Sequence, residues 1–385
     1  GGCIMAYFDN AATTYPKPDC VYEYMDQFYR SCGGSAGRGQ YASSISVGNL
    51  VKDTRKMVQN ILQCPSKQVV FEPTATIALN IIIQGVIATG VRNVYISPFE
   101  HNAVTRTLHG LQEKYSLKII ELSVNEKLSY DMEQIRYQFD DVSPDFVIVS
   151  HASNVIGLIA PAEDIFGLAK KYNAITLLDM AQTAGIVECN VGLETIDFAT
   201  FAGHKTMLGP TGISGFVMKP DLKLPTVLYG GTGVESANQN MPDDLPARFE
   251  MGTMNSSGLA GLYSALKWIE EKGIKNLFEE EIGKRDKLIA LLENYDFIKL
   301  IGVNSSLKYV GIVSCVIDGI SSDSAGELFN RLGISVRTGL QCAPYAHKFL
   351  GTFPAGTIRF SVNHFTTDAD FDELQCALDY IEDNI

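Results

Sequence analysis

The sequence lacks the features of a membrane-spanning or exported chain. Its most apolar segment, NIIIQGVIATG at 80–90, is shorter than the roughly 18–20 residues that a helix needs to cross a bilayer. The first ten residues, GGCIMAYFDN, contain no basic segment followed by an apolar stretch of the signal-peptide kind. We therefore expect a cytoplasmic protein without a membrane partner.

Positive charge is also scarce. Lysine and arginine total 31 against 44 aspartates and glutamates, which gives a formal net charge of −13. A polyanion would be repelled by such a chain, so no nucleic-acid partner is expected.

Cysteines are few, and their spacing is uninformative. There are 8 of them in 385 residues, none in a CxxC pair and none spaced with histidine as in a zinc finger. This usage predicts mostly buried, inert thiols in a reduced compartment, with no metal site. A chemical role for any one cysteine must therefore be argued individually.

What the sequence does contain is a series of strands joined by helices. The strand-like segments carry near-continuous Val, Ile and Leu, which is typical of strands buried on both faces. They lie at 67–73, 92–98, 116–122, 145–153, 173–180, 197–203 and 212–219. Such alternation predicts an α/β fold with a mostly parallel, seven-stranded sheet.

The chain changes character after its middle. A loop-rich stretch at 220–258 is followed by a helical pattern at 258–273 and then by a mixture of short strands and helices. We expect a large domain at 15–255 and a smaller α+β domain at 256–385, with segment 1–14 packing near the smaller one.

Polar side chains follow the strands of the predicted sheet. In an open α/β sheet such residues collect beyond the carboxyl ends of the strands. Each has a commoner structural explanation when taken alone, such as a helix N-cap for Asp179. The set comprises the Thr74–Thr76 helix start, His101, Asn154, Asp179, Gln182 and Lys205.

The combination points to one cofactor. The pattern GxxxxGK[ST] is absent, because His204 precedes Lys205, and no GxGxxG follows the first strand. A helix N-terminus can bind phosphate. A lysine can condense with an aldehyde on a ring, and an acid can pair with a nitrogen of that ring. Pyridoxal phosphate requires this set: a lysine that forms a Schiff base and an acid that pairs with the pyridinium nitrogen.

With these residues in view, the chain resembles the cysteine desulfurases of the class V aminotransferase family. The resemblance covers nearly the whole length and implies PLP fold type I. L-cysteine would be converted to L-alanine, and the sulfur would be held as a persulfide for an acceptor that the sequence does not identify. The segments that carry it are YFDNAATTYPKP (7–18), EPTATIALN, EHNAV, SHASNVIG, LLDMAQTAG, FAGHKTMLGPTG, FEMGTMN (249–255), VRTGLQCAP (336–344) and TIRFSVNHFTT (357–367).

The resemblance assigns a role to each matching residue. Lys205 would form the Schiff base, and Arg359 would bind the substrate carboxylate, with Arg38 as a second arginine at the mouth of the site. Thr253 matches a residue that a neighbouring subunit contributes to the cofactor phosphate, so a homodimer is implied. The remaining assignments are Asp179 for the pyridine nitrogen, His101 for stacking on the ring, Gln182 and Asn154 for the ring oxygen or the substrate, and Ala75, Thr76 and His204 for the phosphate.

Cys342 matches the family's nucleophile, within a segment resembling the subgroup that has a short cysteine loop. It lies between glycine and proline, unlike Cys315 within an apolar strand, so it is the better candidate for an exposed thiolate. Two residues depart from the family pattern. Ala202 stands where serine is common, which predicts a slightly weaker hold on the phosphate, and Gln341 stands where close relatives often have histidine, which puts fast turnover in doubt.

Alternative functions remain open at this point. A selenocysteine lyase, a β-eliminating enzyme or an aminotransferase would share the same cofactor site. A sulfur-relay scaffold with little catalysis of its own is disfavoured by the complete set of site residues. Membership of a fold cannot decide between cysteine and selenocysteine as substrate.

Overall fold

A computed structural model describes residues 6–32, 34–35, 39 and 41–384. Its centre is a seven-stranded sheet, which confirms the α/β fold predicted from the sequence. All neighbouring strands run parallel except β8 (Ser214–Met218), which is antiparallel to both of its neighbours. In spatial order the strands are β2 (Gln68–Glu72), β8 (Ser214–Met218), β7 (Phe198–Ala202), β6 (Ile175–Asp179), β5 (Phe146–Ser150), β3 (Asn93–Ile96) and β4 (Lys118–Glu121).

Helices cover both faces of this sheet. The strands β5 to β8 are buried along their whole length or nearly so, which explains their continuous apolar sequences. Two apolar cores form, one on each face. The helices of this part are α1 (Asp19–Ser31), α2 (Ala42–Ile61), α3 (Ala75–Ala88), α4 (Asn102–Tyr115), α5 (Met132–Asp141), α6 (Ala162–Lys170) and α7 (Ser256–Lys272).

The C-terminal part has its own core and its own sheet. Four antiparallel strands lie in the order β12, β13, β10, β9. The elements are α8 (Ile274–Leu292), β9 (Ile298–Ile301), β10 (Ile312–Ile317), α9 (Ser322–Arg331), β11 (Ile334–Ser335), β12 (Arg337–Gly339), α10 (Pro344–Phe349), β13 (Thr357–Ser361) and α11 (Asp368–Glu382). The segment at 334–339 is divided between two sheets. Its first part pairs with β1 (Ala6–Tyr7).

Helix α7 bears on where the two parts divide. It packs mainly against α1 and α2, and its buried Leu259, Leu262 and Leu266 belong to a core of the large sheet. The predicted boundary at residue 256 stays a proposal, and this packing argues for placing it at Gly273, between α7 and α8. No helix among the described residues is both long and apolar enough to cross a membrane.

The register of the sheet decides where functional groups meet. Ser150 pairs with Asp179, Asp179 with Thr200, and Ala202 with Ser214, which in turn pairs with Glu72. The carboxyl ends of β2, β5, β6 and β7 therefore share one edge, and the loops that follow these strands meet there.

Candidate active site

A cavity of about 240 Å³ lies at this edge. Its walls come from strand ends and from the starts of α3 and α4, so its residues are distant in sequence. Eight residues that the sequence predicts for one site line it: Ala75, Thr76, His101, Asn154, Asp179, Gln182, His204 and Lys205.

The start of α3 forms one wall. Thr74 is its N-cap, and the Thr74 hydroxyl accepts a hydrogen bond of 3.2 Å from the Ile77 N–H. The first N–H groups of a helix have no partner within the helix, so those of Ala75 and Thr76 are available to an anion. Across the cavity, burial and the neighbouring Lys205 lower the pKa of His204 to about 4, which keeps its ring neutral.

A second buried lysine supports this wall, and the sequence argument did not include it. The Lys17 ammonium donates to Thr14 Oγ1 at 2.5 Å and to the His204 carbonyl at 2.6 Å. Burial lowers the pKa of Lys17 to about 7. Lys17 thereby ties the N-terminal segment to the turn that carries Lys205.

Asp179 stands at the end of β6 with one oxygen engaged. Its Oδ1 accepts from the Ala181 N–H and from Thr200 Oγ1, both at 3.0 Å. These bonds fix the direction of the carboxylate. Within the described part of the chain no donor bonds to Oδ2, which can accept from a protonated ring nitrogen.

His101 is the N-cap of α4, and its hydrogen bonding fixes its tautomer. The Ala103 N–H donates to His101 Nδ1 at 3.0 Å, so the ring proton is on Nε2. Burial and the nearby Lys205 lower the pKa of His101 to about 4. The cavity therefore has a neutral imidazole in its wall, which can lie against an aromatic ring or donate one hydrogen bond.

Lys205 follows β7 in a tight turn whose N–H and C=O groups bond locally, as between Lys205 N and the Ala202 carbonyl at 3.3 Å. Burial lowers the pKa of Lys205 to about 8, and Asp179 partly opposes the shift. Arg359 and Cys342 also act on this pKa, so both lie within electrostatic reach of the amine.

Arg359 is buried in β13 and held on two sides. One terminal nitrogen donates to the Asn154 carbonyl at 2.9 Å, and the other pairs with Asp9 at 2.8 Å. Its Nε is buried without a hydrogen-bond partner in the described structure, as is the side-chain oxygen Oδ1 of Asn154. Unpaired buried polar groups are costly, so this donor and this acceptor indicate a polar ligand that completes them.

Cys342 lies outside the cavity, in an adjoining groove of about 590 Å³. Its side chain is exposed, whereas Cys64, Cys189 and Cys315 are buried and burial raises the pKa of each thiol to about 12. The groove is also lined by Arg106, His109 and Arg337, and none of the described residues lining it is acidic. The two arginines are cations and would attract an anionic sulfur product in this groove.

Four predicted site residues are not placed in the cavity: Arg359 and Cys342, whose places are given above, and Thr253 and Arg38. Thr253 is exposed in the loop before α7 and does not line it. Arg38 lies outside the described residues. Among the described residues no group of three or more His, Cys, Asp or Glu side chains is arranged to hold a metal ion.

Asp9 and Lys17 are the polar residues near the site that sequence reasoning missed. Both occur in YFDNAATTYPKP, a segment that carried the resemblance without any chemical role being given to it. The signal was therefore present, but pairing Asp9 with Arg359, 350 positions later, requires the fold.

The chain is similar to known proteins over nearly its whole length. The profile described as Aminotransferase class-V matches residues 6–374. The chain is 28% identical to a probable cysteine desulfurase of Methanothermobacter thermautotrophicus, over 97% of this chain and 94% of that protein. A probable cysteine desulfurase of Pyrococcus abyssi is 27% identical, over 98% of this chain and 93% of that protein.

Solved structures show the same fold. The apo structure of a cysteine desulfurase from Thermococcus onnurineus NA1 superposes with a TM-score of 0.87 at 26% identity, covering 99% of this chain and 95% of that one. The cysteine desulfurase CsdA of Escherichia coli, in its S-sulfonic acid form, superposes with a TM-score of 0.84 at 23% identity, covering 98% and 94%. The second likeness is one of fold alone.

Proposed function

The chain belongs to the class-V aminotransferase family, and on that premise we propose that it is a pyridoxal phosphate-dependent cysteine desulfurase. The observation that carries the proposal is one set of neighbours: Lys205, Asp179 and Asn154 line a single cavity, and Asn154 bonds both to Arg359 and to the Gln341 carbonyl next to Cys342. The proposal includes a cytoplasmic location and a homodimer in which Thr253 reaches the neighbouring subunit's cofactor phosphate.

The residues of the cavity fit the cofactor. The free N–H groups of α3 and the neutral His204 would hold its phosphate, Asp179 Oδ2 its ring nitrogen, and His101 one face of its ring. Lys205 would hold its aldehyde carbon. When bound, pyridoxal phosphate serves as an electron sink for the α-carbon of an amino acid.

The chain's own groups supply the remaining steps. Arg359 binds the carboxylate of L-cysteine through its unpaired Nε–H, and the Lys205 amine moves the Cα proton. The Cys342 thiolate attacks the substrate sulfur, so that an S–S bond forms as the Cβ–S bond breaks. The Cβ carbon gains the electron pair and then a proton, which gives alanine.

The overall reaction balances without another reactant. L-cysteine and the Cys342 thiol become L-alanine and a persulfide, the carbon being reduced as the sulfur is oxidised. The persulfide stands in the groove beside Arg106 and Arg337, open to an acceptor. A thiol reductant in the assay would release it as sulfide.

The direct test is a product analysis. Protein supplied with pyridoxal phosphate, L-cysteine and dithiothreitol should form alanine and sulfide in equal amounts. Pyruvate with ammonia would instead indicate β-elimination, and products that appear only with an added keto acid would indicate an aminotransferase. Either outcome contradicts the proposal while leaving the family assignment in place.

The lowered pKa of Lys205 predicts the pH dependence of cofactor uptake. An amine condenses in its neutral form, which is the minor form below a pKa of about 8 and the major form above it. Uptake by cofactor-free protein should rise about tenfold from pH 7 to pH 9 and then level off. The measurement is the growth of visible absorbance after mixing, with N-acetyl-lysine as a control that continues to gain rate beyond pH 10. A protein curve that also rises beyond pH 10 would show that the amine is not perturbed.

The departure at Ala202 predicts an affinity gain on substitution. Ala202 is buried at the end of β7 and lines the cavity. Ala202→Ser should add one hydrogen bond to the phosphate and lower the cofactor dissociation constant about fivefold, or ~1 kcal/mol. Equilibrium titration measures it, with Ala181→Ser as the matched control, since Ala181 lines the same cavity beside Asp179. An equal gain in both variants would contradict the phosphate contact.

A further inference from the structure

The backbone around Cys342 has an unfavourable conformation. Gln341 has a φ of 40° and Cys342 a φ of 58°, so two successive residues with side chains occupy the left-handed region. Each such residue is disfavoured relative to ordinary backbone, and it persists only where the surroundings hold it. Contacts of the loop itself account for part of the restraint: the Gln341 carbonyl accepts from Asn154 Nδ2, and the Cys342 carbonyl accepts from the Asn102 N–H, both at 2.7 Å.

The Gln341 side chain provides a further restraint. It is buried, and both ends of its amide are bonded: Nε2 donates to the Thr357 carbonyl at 3.0 Å, and Oε1 lies 2.8 Å from His347 Nε2. Because both ends of the Gln341 amide are bonded, this side chain is not available to the substrate. Gln341 therefore has a bonded, structural position in this chain.

His347 is the partner of the Gln341 side chain in this hydrogen bond. It is completely buried in α10, and its Nδ1 lies 2.7 Å from Thr352 Oγ1. Because Gln341 Nε2 is used by Thr357, its Oε1 faces the imidazole, so His347 Nε2 carries the proton and Nδ1 accepts from the Thr352 hydroxyl. Burial lowers the pKa of His347 to about 4, so this neutral tautomer persists at neutral pH.

We propose that His347, acting through its hydrogen bond to the Gln341 amide, holds Cys342 in the left-handed conformation that presents its thiol to the site. His347 and Gln341 are positioning residues, because they act on the backbone of the loop and not on the reacting atoms. The inference rests on the proposed function for the role of Cys342 as nucleophile. The hydrogen bond and its effect on the order of the loop do not depend on that function.

The test is a double-mutant cycle on the protein loaded with cofactor, with three variants: His347→Leu, Gln341→Leu and the pair together. Each single variant leaves a buried group without its partner, so kcat for alanine formation should fall about tenfold with KM for L-cysteine within twofold. The double variant should also lose about tenfold, because both changes break the same bond. A loss of about a hundredfold in the double variant would show that the side chains act independently and would overturn the proposal.

A second measurement does not depend on activity. Amide hydrogen exchange should accelerate at least about tenfold in the peptide spanning 338–345 of His347→Leu, with little change across β5. The matched control is His151→Leu. His151 is also buried and neutral, with its Nδ1 2.9 Å from Thr183 Oγ1, but it makes no contact with Gln341. The control should lose stability while exchange at 338–345 and kcat stay within twofold of the parent protein.

A conservative substitution separates positioning from general destabilisation. His347→Gln retains an N–H donor for Gln341 Oε1 and should recover at least half of the kcat lost in His347→Leu. Unchanged exchange at 338–345 in His347→Leu would contradict the proposal even if the protein made no alanine. Absence of alanine in the parent protein would contradict only the proposed function.

Discussion

Replacing Cys342 with alanine is expected to abolish the formation of alanine and sulfide from L-cysteine, by about a thousandfold or more, while the visible absorbance of the bound cofactor stays intact. The reason is that, among the cysteines the structure describes, Cys342 alone lines the cavity or the groove, whereas Cys315 is buried in β10. Steady-state assays of alanine and sulfide measure the loss.

The control for this variant is Cys376→Ala, which removes the exposed cysteine on α11. It should have full activity, because Cys376 does not line the cavity or the groove. A Cys342→Ala variant within tenfold of the parent on L-cysteine would contradict the persulfide route. Loss on L-cysteine with retained activity on selenocysteine would favour a selenocysteine lyase, since selenium leaves carbon more easily than sulfur.

Replacing Lys205 with alanine has the second large expected effect, the complete loss of covalent cofactor attachment. Borohydride treatment of the parent protein should fix the cofactor on the peptide that contains Lys205, as detected by its mass. The Lys205→Ala variant should bear no label, release its cofactor on dialysis and form no alanine. The physical basis is the partly neutral amine that burial produces in the cavity.

Lys17 is the other lysine that could form the Schiff base, and it supplies the control. It too is buried with a lowered pKa, about 7, and it bonds to the carbonyl of His204 next to Lys205. Its amine already has two acceptors, Thr14 and His204, so it is engaged structurally. Lys17→Met should therefore retain the label on the Lys205 peptide, whereas label found on Lys17 in the parent protein would refute the assignment.

The sequence predicted the central sheet well because burial on both faces leaves a strong, local signal. All seven apolar segments became strands of one sheet. It did not predict α8, and the structure gives the reason. The buried face of α8 includes Glu281 and Arg285, which interrupt the apolar repeat that would mark a helix. Their charges are accommodated by partners far away in sequence: Glu281 accepts from the Gly311 N–H at 2.7 Å, and Arg285 lies over the Tyr309 ring.

The candidate site was predictable to the extent that it lies at strand ends. The rule that functional groups collect at one edge of the sheet predicts that Asp179 and Lys205 lie together, and both line the cavity. The contacts that hold the site residues from behind were not predictable in this way. The Asp9–Arg359 pair and the Gln341–His347 bond depend on how the C-terminal part packs, which no local pattern encodes.

The central claim is that sulfur passes from L-cysteine to residue 342, and the mass of one peptide tests it most directly. Cofactor-loaded protein should be incubated with L-cysteine without reductant, quenched, digested and analysed for the Cys342 peptide and for alanine. The account predicts a gain of one sulfur atom on that peptide, lost on adding dithiothreitol, with alanine formed in equal amount. Alanine produced with the Cys342 peptide unmodified, or added sulfur on a different cysteine, would contradict it.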